Sequence, residues 1–407
     1  MDDVKWLWKR YVLIFLILLT AAAATILRKK LSLASRPLPA AGQGISSVLM
    51  KICEDERVMA DEVVDFPAET SEESAYWQIP QARDCLISEE EREELQERAL
   101  SAAKSVSGMN RSSGERVAAQ LGKAGLVSVA EGGDMHNHEW IEKFYADYLK
   151  GQDSMVTVFE IRQDGELGAV NFICREGEIQ TYYIGIRWEE DGAPKVQGTS
   201  VSDVAEMKLT EKGYFIYAFE TVLAHGSLRQ YWRIRPLSEE CQRLTEKYIS
   251  GLSYVNYNML VTDWDSGNVE DILMPCMFED IYRIHTGEVF QAKDGRIPAE
   301  EYERIMTAYF PVSAGQLREN CRYDEGSKSY EYEMLHAQQY PPFGEVVDYK
   351  ENGDGTVTLT VDGVWPDYNS DYAFTNRLVI KPSADGTFRY LSNHIEEKEL
   401  EIPRISR

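Results

Sequence analysis

Six β-prone runs lie between residues 156 and 235, at 156–162, 168–175, 179–188, 204–209, 214–219 and 230–235. The gaps between them carry Asp164-Gly165, Glu176-Gly177, Asp191-Gly192 and Lys212-Gly213. An acidic or polar residue followed by glycine suits the tight turns that join antiparallel strands, because glycine reaches positive φ without steric cost. Parallel neighbours need a crossover of a dozen or more residues, and these gaps are too short for one. The stretch therefore predicts an antiparallel meander of five or six strands, backed by the amphipathic segment that precedes it.

That preceding segment is helical in pattern. Ser88 with Glu91 forms a capping box at the start of an acidic helix, and its glutamates sit where a helix dipole favours negative charge. A second helix is predicted over 113–123, ended by Gly125, then a short strand at 126–129. A third covers 139–150, with Trp140, Phe144, Tyr145 and Tyr148 as its apolar side. Helical spacing returns at 238–250, at 268–283 with a break at Pro275, and at 298–309 with Pro298 leading. Ser313 with Gln316 makes another capping box. The remainder is β, at 330–335, 345–349, 356–361, 376–381 and 387–391, with Asp354-Gly355 and Asp385-Gly386 as turns. The order helix, sheet, helix, sheet predicts an α+β fold. It divides as 1–30 anchor, 31–87 linker, 88–237 helices with a meander, and 238–407 helices with a second sheet.

The anchor is read from a seventeen-residue apolar run at 11–27, flanked by Lys5, Lys9 and Arg10 on one side and Arg28, Lys29 and Lys30 on the other. A helix of that length is about 25 Å long, marginal for a ~30 Å hydrocarbon core. Trp6 and Trp8 stand at an interfacial position. Ala21 to Ala24 also resembles a signal-peptidase site, but Ile26 and Leu27 prolong the apolar run past it. An uncleaved single-pass anchor with the body outside is the expectation, and the membrane is the first expected partner.

Composition narrows the chemistry. The formal charge is −25, from 43 basic against 68 acidic residues, and no basic stripe lies beyond the anchor flanks. Nucleic acid is not an expected partner. Six cysteines are spread without a Cys-x-x-Cys pair, and most sit in apolar surroundings, as in Asn171-Phe172-Ile173-Cys174. Buried free thiols are expected there, although an external location permits disulfides. No phosphate loop, dinucleotide fingerprint, nucleophile elbow or zinc-protease motif is present. Ser101-Ala102-Ala103-Lys104 matches Ser-x-x-Lys without its companion motifs.

Three constellations remain. His136, His138 and Glu142 are the densest potential ligands, and His138 and Glu142 share a helix face at a spacing of four. The same residues suit a helix start capped by Asp134 or Asn137. Two acidic loops, 263–268 and 367–371, imitate calcium loops, but both lack the glycine and glutamate positions such loops require. Asx-turns explain them as well. Finally, Trp365, Tyr368 and Tyr372 stand beside Asp367 and Asp371. Rings beside carboxylates suit recognition of carbohydrate or peptide, and equally suit packing over a sheet edge. No cofactor is expected.

Three segments, 231–237, 261–265 and 387–393, together with 121–127, resemble a domain-of-unknown-function family of membrane-anchored proteins from Gram-positive anaerobic bacteria. The resemblance implies a bacterial surface location and no particular activity. The expected function is a non-enzymatic, extracytoplasmic module that binds a ligand or protein partner. The alternative is a hydrolase of envelope or extracellular polymer, metal-assisted or not, which requires carboxylates such as Asp263, Asp265 and Asp367 to converge.

Overall fold

A computed structural model describes residues 85–107, 114–162, 164–219, 229–252, 254, 259–272, 274–332 and 342–398. All of them fall in one compact unit, residues 61–407. The expected anchor at 11–27 lies outside the described residues, and no described helix is long and apolar enough to cross a membrane.

The first half opens with α1 (Glu89–Ser105), α2 (Gly114–Lys123), β1 (Val127–Ala130) and α3 (Glu139–Leu149). Strands β2 (Ser154–Ile161), β3 (Leu167–Arg175), β4 (Glu178–Trp188), β5 (Pro194–Leu209), β6 (Tyr214–Phe219) and β7 (Arg229–Arg233) follow. The expected meander is present, with one addition. β1 joins its edge parallel to β2, giving a seven-stranded sheet in chain order. The parallel pair is possible because α3 lies between β1 and β2 and supplies the crossover.

The sheet is curled. β5 pairs with β4 through its first half and with β6 through its second, with a register shift between Val204 and Glu206. A long strand that changes partners at a bulge turns a corner. As a result Phe172 of β3 meets Phe215 of β6 edge-on at 5.4 Å and Trp232 of β7 at 6.0 Å. Inside the curl, Ile141 and Phe144 of α3 join Val156, Val158, Val170 and Phe172. On the opposite face, α1 and α2 lay Leu95, Ala99, Ala102 and Leu121 over Phe159, Ile161, Ala169 and Ile184. β3 is thus covered on both sides, and eight of its nine residues are buried. Its sequence accordingly does not alternate.

The second half contains α4 (Glu239–Tyr248), α5 (Met274–Thr286), α6 (Ala299–Tyr309) and α7 (Ala314–Asn320). A small sheet of β8 (Arg296–Pro298), β9 (Tyr323–Asp324) and β10 (Ser329–Glu331) has the order β8-β10-β9. A four-stranded antiparallel meander follows: β11 (Phe343–Glu351), β12 (Val357–Trp365), β13 (Ser370–Pro382) and β14 (Phe388–Glu397). Both expected capping boxes, at Ser88 and Ser313, are formed. The helix expected over 268–283 is interrupted ahead of Pro275: a 3-10 turn covers Val269–Asp271, and α5 starts afresh with Pro275 in its first turn, where its missing N–H costs nothing. Buried Asn376 and Asn393 tie the segment after α4 to this meander, by donating to Leu260 O at 2.5 Å and Thr262 O at 2.9 Å.

The two sheets meet where Tyr214 and Ile216 of β6 pack on Val364 of β12 and Phe343 of β11. The boundary expected between 237 and 238 falls in the link from β7 to α4.

Candidate functional site

β1 is four residues long and β2 is eight. β1 pairs only with Val158–Ile161 of β2, leaving Ser154, Met155, Val156 and Thr157 bonded to β3 on one side and to no described strand on the other. An unpaired edge exposes a row of backbone donors and acceptors. This one lies in a cleft of about 650 Å³, with α1 forming one wall and α3 the other. The loop through Ala124, Gly125 and Leu126, which leads into β1, closes one end.

The two walls differ in chemistry, because successive side chains of β2 point to opposite faces. Val156 faces α3 and joins Phe144 in the core inside the curl, beside Trp140, which is 53% exposed. Thr157 faces α1. Its hydroxyl donates to Asn171 Oδ1 at 2.7 Å, and buried Asn171 donates to Tyr182 O at 2.8 Å. Arg98, Ser101 and Ser105 line that wall from α1. Ser101 of the Ser-x-x-Lys match thus has a place in the cleft. Met155, on the same face of the strand, is 45% exposed. The buried hydroxyl oxygen of Ser154 has no hydrogen-bond partner among the described residues. Lys143 and Asp147, one turn apart on α3, pair at 2.5 Å and neutralise each other at the rim.

α3 departs from the expected apolar side. Its buried stripe is Ile141 and Phe144, with Tyr145 and Tyr148 partly buried beside them. That is the i, i+3, i+4, i+7 pattern of a helix face. Trp140 falls off this stripe by one position and projects into the cleft rim. Neither Asp134 nor Asn137 caps the helix: His138 is the N-cap residue, without a side-chain cap. Asn137 instead has φ 55° and donates to Gly122 O and Leu126 O, pinning the turn to the end of α2. Asp134 accepts from Gln242.

Around that turn lie the potential metal ligands. His138 Nδ1 is 3.4 Å from Glu142 Oε1, and the same oxygen accepts from Arg235 Nε at 2.7 Å. His136 packs on α2: a Cβ on Gly122 would stand 2.6 Å from His136 Cβ, so only glycine fits beneath it. Among the described residues no group of three or more His, Cys, Asp or Glu side chains is placed to hold a metal.

The aromatic and acidic residues at 365–372 come together at the joint between the two sheets. Trp365 is 1% exposed, with its ring 4.3 Å from Tyr368 and 5.9 Å from Phe374. Phe374 in turn lies across Gly363, where a Cβ would overlap its ring. Asp371, 2% exposed, accepts from Lys212 N at 2.7 Å. Asp367 O accepts from Arg229 Nη1 at 2.6 Å. Tyr372 donates to Glu211 at 3.2 Å, and the Lys212 and Lys398 ammoniums lie over its ring. The adjacent carboxylate raises the Tyr372 hydroxyl above its ordinary pKa. Nearby, Glu345 receives Arg233 through both oxygens and the Tyr214 hydroxyl, Lys212 pairs with Asp362, and Glu206 pairs with Arg229 and Asn369. Burial, then the Glu345 charge, push the Tyr214 hydroxyl well up.

The carboxylates that a hydrolase would need are each engaged with different neighbours. Asp263 accepts from Ile395 N at 2.7 Å, beside His394 of β14. Asp265 closes an Asx-turn with Gly267 N. Asp367 stands at the β12–β13 turn, next to Arg229.

Sequence reasoning did not anticipate the cleft. One signal was available: the run leading to Gly132 and Gly133 is half as long as the run at 154–161 beside which it pairs.

Cys174, Cys241 and Cys321 are buried free thiols, and burial pushes the Cys321 thiol up to about 11. Comparison with curated proteins and with solved structures finds no match. Comparison with family profiles matches residues 82–406, which hold all three described sheets, the joint and the cleft, and by that match the chain belongs to the family of unknown function DUF6070.

Proposed function

We propose that this chain is a polypeptide-binding module that takes up an extended segment of another protein as an added strand on β2. The N-terminal apolar run tethers it to a membrane, with the body outside. One observation carries the binding reading: half of β2 has no described strand partner and lies at the floor of a cleft walled by two helices. An extended chain is the ligand whose backbone matches such an edge, and strand addition is a recurring mode of peptide capture. The cleft volume lies within the range of ligand sites, and exposed Trp140 and Met155 supply apolar contact at its rim.

A plugged cleft tests this. Ser101 is exposed on the α1 wall, so Ser101→Trp fills space without disturbing the core. Full-length protein in detergent is screened against a displayed library of unstructured peptides. The expected result is a set of binders lost in Ser101→Trp while thermal unfolding is unchanged. Binders that ignore the plug overturn the assignment to this cleft. For the tether, protease is applied to intact cells carrying a C-terminal tag. Shaving of the tag, with full-length chain in the membrane fraction, agrees with the proposal. Protection until lysis contradicts the external placement.

A further inference from the structure

The free edge of β2 also constrains what the captured segment carries. We infer that it is a short strand of alternating character, apolar on the side chains facing α3 and polar on those facing α1. This rests on the strand-capture reading and adds the sequence class of the partner.

An added strand sends successive side chains to opposite faces, as β2 does. Those turned toward α3 meet Trp140, Phe144 and Val156, two rings and a branched aliphatic residue. Those turned toward α1 meet Arg98, Ser101 and Thr157, backed by Asn171, with half-exposed Met155 reached only toward the open end of the strand. Thr157 spends its proton on Asn171, so its oxygen faces the cleft as an acceptor. The Arg98 side chain has no carboxylate partner among the described residues and offers donors. An apolar side chain on that wall would strip water from these groups without replacing its hydrogen bonds. A polar one on the other wall would leave the Trp140 ring without apolar contact. Ser, Thr, Asn or Gln supply the donors and acceptors that this wall calls for, and a carboxylate would also meet Arg98.

The footprint is short. Four edge residues at about 3.3 Å each span roughly 13 Å. The loop at Ala124, Gly125 and Leu126 stops the strand at one end, so the segment leaves past Ser154.

The test uses three end-capped, fluorescently labelled peptides with Lys at both ends: alternating Val-Thr, the same composition in Val-Val-Thr-Thr blocks, and Thr alone. Binding to full-length protein in detergent is read by anisotropy, and self-association by sedimentation. The expected result is that the alternating peptide binds about tenfold more tightly than the block peptide, a difference that a few cross-strand contacts supply. Trp140→Ala should erase most of that preference. The double variant Ser101→Val, Thr157→Val should shift it toward the block peptide. Equal binding of all three peptides, blocked by Ser101→Trp, overturns the alternation and leaves strand capture standing. Binding of none overturns both. Dimerisation abolished by Ser101→Trp shows that a second copy of this chain occupies the cleft, which also overturns the inference.

Discussion

The edge of β2 and the joint at 365–372 hold similar residue types, and the fold uses them in opposite ways. At the joint, the Trp365 ring is buried against Tyr368 and Phe374, and the Asp371, Glu345 and Asp362 carboxylates each hold a partner from the other sheet. At the β2 edge, Trp140 and Met155 stay about half exposed, the Ser154 hydroxyl lacks a partner, and a run of strand backbone has no described neighbour. The lesson is that rings beside carboxylates do not mark a binding site by themselves. What distinguishes the two regions is whether each polar group already has its partner and each ring its contacts. A closed set stabilises the fold, and an open set is left for something else to complete.

Breaking the joint should have the largest effect. Arg233 and Glu345 are both mostly buried, so Glu345→Ala strands a guanidinium and should cost about 3–5 kcal/mol in urea unfolding. Trp365→Ala removes a fully buried ring and should also cost about 3–5 kcal/mol. Any loss of binding in that variant should follow its loss of stability. Trp365→Ala that stays stable and loses ligand would move the binding site to the joint.

Asp371→Ala is the next step down. It leaves the Lys212 N–H without its acceptor and should cost about 1–3 kcal/mol. At the cleft, Trp140→Ala should change stability by less than about 0.5 kcal/mol while weakening peptide binding, because the ring is exposed and off the buried stripe. A loss of several kcal/mol there would mean that the ring is part of the core.

The smallest effect is a pH dependence inside the curl. Glu160 is held above the ordinary carboxylate range, first by burial, with Trp232 donating weakly at 3.4 Å in opposition. The folded state therefore keeps the proton longer than the unfolded state. Folding stability should fall as pH rises from the ordinary carboxylate range through the raised value. Glu160→Gln should flatten that slope in unfolding curves taken from pH 4 to about 8. An unchanged slope would mean that Glu160 is solvated in the folded state.

Much of this fold was legible because its signals are local. Turn dipeptides located the strand ends, and the run at 214–219 coincides with β6. Ser88 and Ser313 marked helix starts through a spacing of three that the side chains satisfy. Four features were not legible, each because it depends on tertiary neighbours. The first half of β5, 194–203, is mostly polar, and its two valines, Val196 and Val201, stand five apart, so it lacks the period of a half-buried strand. The place of Trp140 differs by one position from a buried stripe, a difference that only the packed core fixes. The burial of Trp365 against Tyr368 and Phe374 depends on how the β12–β13 hairpin folds back, which no spacing within 365–372 encodes. The parallel placement of β1, which creates the short edge, is likewise a consequence of where α3 packs.

Hydrogen exchange along β2 tests the central contrast most directly, because one strand carries both environments. In the free protein, amides at 154–157 that point away from β3 should exchange orders of magnitude faster than those of Val158–Ile161, which β1 covers, and than the amides of β12 and β13 at the joint. Adding a bound peptide should slow them selectively. Uniform protection of the whole of β2 in the free protein would contradict the account, since it would show that this edge is already covered.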